Sequence, residues 1–151
     1  PAAAALAGMA ATWAASTIAG LPDRLRAGQT VFRETGGLHA AAIVGADGAP
    51  IVLREDIGRH NAVDKVVGAA LAARIVPDRR LLVVVSGRVA YEIVQKTAVA
   101  GLGGVVAVGA PSNLAVEAAR RAGLVLVGFV RDGRFNVYHG ADRVQSSGPL
   151  Q

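Results

Sequence analysis

The sequence predicts one α/β domain built on a mixed, mostly parallel central sheet. Three observations lead there. At 151 residues the chain is long enough for a single domain with a real core. It is 52% hydrophobic and only 18% charged, with a mean hydropathy of +0.42, which suits strands covered on both faces. From residue 30 onward, short apolar runs alternate with helical stretches and are separated by Gly, Pro, Ser and Asn.

The elements follow in order. Residues 1–29 read as a helical or irregular lead-in, with Trp13, Ile18 and Leu21 as the side chains that dock it on the body. Residues 39–44 read as a strand. Ala46-Asp47-Gly48-Ala49 reads as a hairpin turn, because Asp-Gly tolerates positive φ, and residues 51–54 as the return strand. Residues 58–74 read as a helix, with Val63, Val66, Val67, Ala70 and Leu71 on one face. Strands over 81–85, 105–108 and 124–130 alternate with helices over 89–101 and 114–122. Arg131-Asp132-Gly133-Arg134 then turns into a last strand over 135–138. This is a hairpin followed by β-α-β-α-β. Right-handed crossovers imply helices on both faces of the sheet, and ligands then bind beyond the carboxyl ends of the strands. Residues 30–145 make the domain and 146–151 a tail.

Composition narrows the function. No stretch reaches the roughly 18 strongly apolar residues of a membrane span. Residues 1–21 are mostly Ala and Gly with Thr and Ser, without the basic opening of a secretory signal. The reading is a soluble, cytoplasmic protein. A chain that opens at Pro1 reads as processed or as a fragment. It has no cysteine, which excludes disulfides, thiolate metal sites and cysteine nucleophiles within these residues. The net charge is +5 and the basic residues are nearly all Arg. Arginine suits phosphate and carboxylate partners, because its planar fork binds them bidentately; codon bias explains the same excess. A basic nucleotide- or nucleic-acid-binding module without catalysis is the competing class. One Trp, two Tyr and three Phe, with scattered arginines, suit base stacking on a single strand poorly.

Charge is concentrated in one string, Glu55-Asp56-Ile57-Gly58-Arg59-His60-Asn61-Ala62-Val63-Asp64-Lys65. Three loops follow strand ends and open helices: Glu55 to Asn61, Ser86-Gly87-Arg88, and Pro111-Ser112-Asn113. Free N–H groups and the helix dipole favour an anion at such positions. Ser86 and Ser112 also read as helix caps. Gly87 permits close backbone approach, and Arg88 reaches a phosphate. Together the loops read as a phosphate- or nucleotide-binding crevice. Thr35-Gly36-Gly37 makes either a turn or a bed for a ligand. His60 and Asp64, four apart, share a helix face and would orient an imidazole for acid–base work, but no nucleophile accompanies them, so a hydrolase ranks last. Asp64 reads instead as part of an ion-pair patch, and Arg59 and His60 as ligand contacts. Glu92 and Lys96 read as a structural i, i+4 pair. His39-Ala40-Ala41 lacks the Glu of the zinc-deaminase H-x-E signature, and His39, His60 and His139 lack metal-ligand spacing. No directly protein-ligated metal is expected.

These residues together resemble the FdhD family of formate dehydrogenase accessory sulfurtransferases. The matching segments are Phe32-Arg33-Glu34-Thr35-Gly36-Gly37-Leu38-His39-Ala40-Ala41, the Glu55–Lys65 string, Ser86-Gly87-Arg88, Tyr91-Glu92-Ile93-Val94-Gln95-Lys96, Leu114-Ala115-Val116, and Gly128-Phe129-Val130-Arg131-Asp132-Gly133-Arg134. They run in the family's order over roughly residues 30 to 143; residues 1–27 match it poorly. The resemblance implies a cytidine-deaminase-like three-layer α-β-α sandwich and a homodimer. It implies sulfur transfer from a cysteine desulfurase to the molybdenum cofactor, Mo-bis(molybdopterin guanine dinucleotide), for formate dehydrogenase, with GDP as a mimic of the nucleotide part. By similarity Phe129, Val130, Arg131, Asp132, Gly133 and Arg134 are cofactor-binding, and Thr35, Gly36, Gly37, Ser86, Gly87, Arg88, Ser112 and Asn113 are nucleotide contacts beside His39, Arg59 and His60. The family carries sulfur on a Cys-x-x-Cys loop. In this chain that loop is expected near or before Pro1, so the resemblance is to the cofactor-binding half.

Overall fold

A computed structural model describes residues 11–29 and 38–146. The elements are β1 (Trp13–Ala14), α1 (Ala15–Gly28), β2 (His39–Val44), β3 (Pro50–Asp56), α2 (Arg59–Ala72), β4 (Asp78–Val85), α3 (Tyr91–Val99), β5 (Leu102–Ala107), α4 (Asn113–Ala122), β6 (Val125–Arg131), β7 (Arg134–His139), a 3₁₀ turn (Ala141–Arg143) and β8 (Val144–Gln145). Six strands form one sheet in the order β3-β2-β4-β5-β6-β7, and β1 pairs with β8 in a second, two-stranded one. β4, β5 and β6 are mutually parallel. β2 is antiparallel to both β3 and β4, and β7 to β6. Four of the six strands therefore point one way, and their carboxyl ends share one edge.

The strands alternate between two cores. Ala41, Ile43, Val83, Val85, Val105, Ala107 and Leu126 face one side, with Val63, Val66, Ile93, Val94, Ala115 and Ala119 from α2, α3 and α4. Ala40, Ala42, Val44, Leu82, Val84, Val106 and Val127 face the other, with Trp13 and the α1 residues Ile18, Leu21 and Leu25. This is the period-2 pattern of strands buried on both faces.

The three layers match the expectation, but the helices are divided unequally. All three crossovers advance along the sheet in one direction, so right-handedness puts α2, α3 and α4 on the same face. The opposite face is covered by α1. The lead-in thus forms a layer of the domain, clamped by the buried Trp13, whose Nε1 donates to the Arg80 carbonyl at 3.2 Å, and by the β1–β8 pairing.

Turn chemistry follows the sequence. Gly48 takes φ +81, and Asp47 Oδ1 accepts from Ala49 N at 3.0 Å. Asp132 and Gly133 take φ +53 and +74, the double left-handed pair of a type I′ hairpin. Boundaries differ from the reading in places. β3 runs on through Glu55 and Asp56, which are therefore strand residues and not loop. β4 begins at Asp78, and α3 at Tyr91, two residues later than expected.

Candidate functional site at the carboxyl edge of the sheet

The loops after β3, β4 and β5 converge at the carboxyl edge because those strands are parallel and their helices return over one face. A cleft of about 260 Å³ opens there, lined by Arg59, Arg88, Val89, Ala90, Ala110, Pro111 and Ser112. Two arginines line it and no carboxylate does. Arg59 is the first residue of α2, Ala90 is the residue capping α3, and Ser112 the one capping α4. Three helix N-termini therefore meet at one opening, and their partial positive charge adds to the guanidinium groups. Ala90 and Gly58 give no side-chain cap to α3 and α2.

Backbone packing fixes the loops. Val89 N donates to the Ala110 carbonyl at 3.1 Å and Ser112 N to the Val89 carbonyl at 2.9 Å. Gly109 N donates to the Gly87 carbonyl at 3.1 Å, and Phe129 N to the Gly109 carbonyl at 3.1 Å. A Cβ at Gly109 would stand 2.9 Å from Arg88 N and from both Gly87 C and Gly87 O. Only glycine lets these loops touch. Sequence reasoning passed over Gly109; a Gly-Ala-Pro run directly after a strand was the available signal.

The expected residues within the described range can be placed. Arg59, Arg88 and Ser112 line the cleft together. Gly87 sits behind them: a Cβ there would lie 3.3 Å from His39 Nδ1 and 3.8 Å from Arg59 Cδ. Ser112 Oγ accepts from Ala115 N at 3.1 Å, so it caps α4 as expected. Ser86 is not a helix cap. Because α3 starts five residues later, Ser86 Oγ instead accepts from Ala40 N at 2.9 Å and ties β4 to β2. Asn113 is the exposed first residue of α4. Thr35, Gly36 and Gly37 lie outside the described residues.

The charged string divides. Asp56 Oδ2 pairs with Lys65 Nζ at 2.8 Å, and Asp56 Oδ1 accepts from Gly58 N at 2.9 Å. The Lys65 ammonium and the Gly58 N–H hold the Asp56 carboxyl down at about 2. Asp64 does not meet His60. It pairs with Lys96 Nζ at 2.7 Å, which also takes Lys96 away from Glu92 and staples α2 to α3. His60 Nε2 and Arg59 Nε are buried and have no hydrogen-bond partner among the described residues. Buried polar atoms without partners are costly, and here they sit at the head of α2 beside the cleft. His139 is structural: its Nδ1 donates to the Leu124 carbonyl at 2.7 Å. Among the described residues no three His, Cys, Asp or Glu side chains cluster to hold a metal.

Phe129 to Arg134 forms the end of β6 and the turn into β7. Val130, Arg131, Asp132 and Gly133 line a second cleft of about 420 Å³ with Ala19, Pro22, Asp23 and Arg26 of α1 and with Val108. The two clefts open on the same edge of the sheet, one on each face, with the Gly109 loop between them. Their volumes border on the roughly 300–1,000 Å³ of small-molecule sites. The α1 contribution was not foreseen, because nothing in the Ala-rich lead-in marks it as a cleft wall.

The FdhD/NarQ family model matches residues 2–145. The likeness therefore extends through the lead-in, which the motifs alone had placed outside it. The chain is 56% identical over 135 residues to the sulfur carrier protein FdhD of Nocardia farcinica, covering 89% of this chain and 48% of that protein. It is 56% identical over 127 residues to the sulfur carrier protein FdhD of Streptomyces coelicolor, covering 84% of this chain and 45% of that protein. It thus spans about half the length of the curated relatives it matches. A crystal structure from Desulfotalea psychrophila, assigned as a formate dehydrogenase accessory protein, superposes with a TM-score of 0.81 at 29% identity, over 90% of this chain and 58% of that one. By sequence and by fold, this chain belongs to the FdhD/NarQ family.

Proposed function

We propose that this chain recognises the guanine-nucleotide portion of a molybdenum cofactor, Mo-bis(molybdopterin guanine dinucleotide), as a substrate during sulfur delivery for formate dehydrogenase. The supporting observation is the acid-free cleft in which Arg59 and Arg88 stand at the joined N-termini of α2, α3 and α4. Such a site offers forked cationic donors and backbone N–H groups to a diphosphate. The unpartnered Arg59 Nε is a donor for it to satisfy, with the unpartnered His60 Nε2 beside it. The second cleft, with Arg131 and the Asp132-Gly133 turn, offers space for the rest of a nucleotide. The 151 residues contain no thiol, so their part in the transfer is to bind and orient the acceptor. The family points to a cysteine desulfurase as sulfur source, to formate dehydrogenase as the enzyme served, and to a homodimer working in the cytoplasm.

Calorimetric titration with GDP tests the recognition step. A charge-assisted hydrogen bond contributes about 1.5–3 kcal/mol, so Arg88→Ala or Arg59→Ala should weaken GDP by about tenfold or more. GDP affinity indifferent to both substitutions would count against the reading.

A further inference from the structure

No carboxylate lines the Arg59–Arg88 cleft, yet one is bonded to the helix head that serves it. Asp56 ends β3, and its Oδ1 accepts at 2.9 Å from the N–H of Gly58, the residue capping α2. Arg59, the next residue, lines the cleft. A carboxylate at this position suits the helix dipole by itself. For a site that takes an anion it is a competitor, because its charge repels a phosphate and attracts the Arg59 guanidinium. Lys65 answers that charge. From the second turn of α2 it reaches back to the helix start, with Nζ 2.8 Å from Asp56 Oδ2 and donating to the Glu55 carbonyl at 3.0 Å. The ammonium, with the Gly58 N–H, holds the Asp56 carboxyl down at about 2. Helix stability gives little reason for this arrangement. The Lys65 side chain is half exposed, where an ion pair contributes little. A cation drawn back to a helix N-terminus also opposes the dipole. Asp64, in α2 itself, is neutralised in the same way by Lys96 at 2.7 Å.

We infer that Lys65 is a charge mask for the cleft: by neutralising Asp56 it keeps the α2 N-terminus open to a diphosphate and leaves Arg59 to the ligand. Lys65 is a positioning residue that acts through Asp56 and does not touch the ligand. This rests on the nucleotide reading above and adds the residue that sets the charge of the site.

The test titrates GDP into the wild-type chain, Lys65→Met, Asp56→Asn and the double variant, at about 20 mM and about 0.5 M salt, where screening is weak and strong. Methionine keeps most of the lysine stem without its charge, and asparagine keeps an oxygen for the Gly58 N–H without a negative one. Lys65→Met bares the carboxylate and should weaken GDP roughly 3- to 10-fold at low salt, shrinking to within about twofold of wild type at high salt. Asp56→Asn should bind GDP at least as tightly as wild type although it melts lower. The double variant, with no charge left to mask, should regain wild-type affinity within about twofold. A merely structural pair predicts the opposite for both, since affinity would then fall wherever stability falls. If wild type binds GDP and Lys65→Met matches it within about twofold at low salt, the mask is wrong and the nucleotide reading stands. A double variant as weak as Lys65→Met, or a loss that persists at high salt, also overturns the mask alone. A wild-type chain that does not bind GDP overturns the nucleotide reading, and the mask falls with it.

Discussion

Replacing Gly109 by alanine tests the loop packing on which the site depends. The added Cβ meets three backbone atoms at 2.9 Å, Arg88 N, Gly87 C and Gly87 O, where a carbon–oxygen approach needs roughly 3.3 Å. The β4 and β5 loops must part by about 0.4 Å, and no side chain can yield instead. Gly109 takes no positive φ, so the penalty is steric alone. The separation stretches two 3.1 Å bonds, Gly109 N to the Gly87 carbonyl and Phe129 N to the Gly109 carbonyl. Overpacking with two weakened hydrogen bonds costs about 1–3 kcal/mol. For a domain of this size the melting temperature should fall by roughly 3–10 °C. Gly20 and Gly68 supply the control, since a Cβ at either meets nothing within 4 Å. Inside α1 and α2 the same change should gain about 0.5–1 kcal/mol. Thermal melts of the three variants therefore separate by sign. Gly109→Ala melting at or above wild type would refute the contact between the loops and the cleft built on it.

Other outcomes follow from the same geometry. The Asp56 carboxyl is held at about 2, against an ordinary 3.8, by Lys65 and the Gly58 N–H. A carboxyl depressed in the folded state stabilises above its unfolded value and loses that contribution as pH falls through its folded value. Asp56→Asn should thus lower the urea midpoint at pH 7, and the gap from wild type should close as pH drops from about 4 to 2. Trp13→Ala empties a buried site under α1 and orphans the Arg80 carbonyl. It should cost about 3–5 kcal/mol by urea unfolding. Ser112→Ala removes the cap on Ala115 N and should cost about 1 kcal/mol in the same assay.

Much of the fold was legible where pattern and packing agree. β2 was read with its true bounds because five small or β-branched residues run between His39 and Gly45, and both hairpin turns carry Asp-Gly. Other features depend on partners distant in sequence. β4 starts at Asp78-Arg79-Arg80, a polar run that looks like a loop; Asp78 N is tied to the Gly101 carbonyl, and Asp78 is paired with Arg80 at 2.8 Å. β5 starts at Leu102-Gly103-Gly104, where glycines read as breakers. Here they are required, since a Cβ at Gly103 would strike the Arg79 carbonyl and one at Gly104 the Val125 carbonyl. The meeting of the loops after β3, β4 and β5 at one edge was legible from the alternation of strands and helices, and Arg59, Arg88 and Ser112 do line one cleft there. The exchange of partners by Asp64 and Lys96 was not, because helix spacing shows only neighbours along one helix, and this pair joins two.

The central claim is recognition of a guanine nucleotide, and titration of the unaltered chain with GDP beside ADP tests it most directly. The two ligands share a diphosphate and ribose and differ only at the base. The account predicts saturable GDP binding with ADP weaker by a clear margin. Equal affinity for both, or heat from neither, would contradict it.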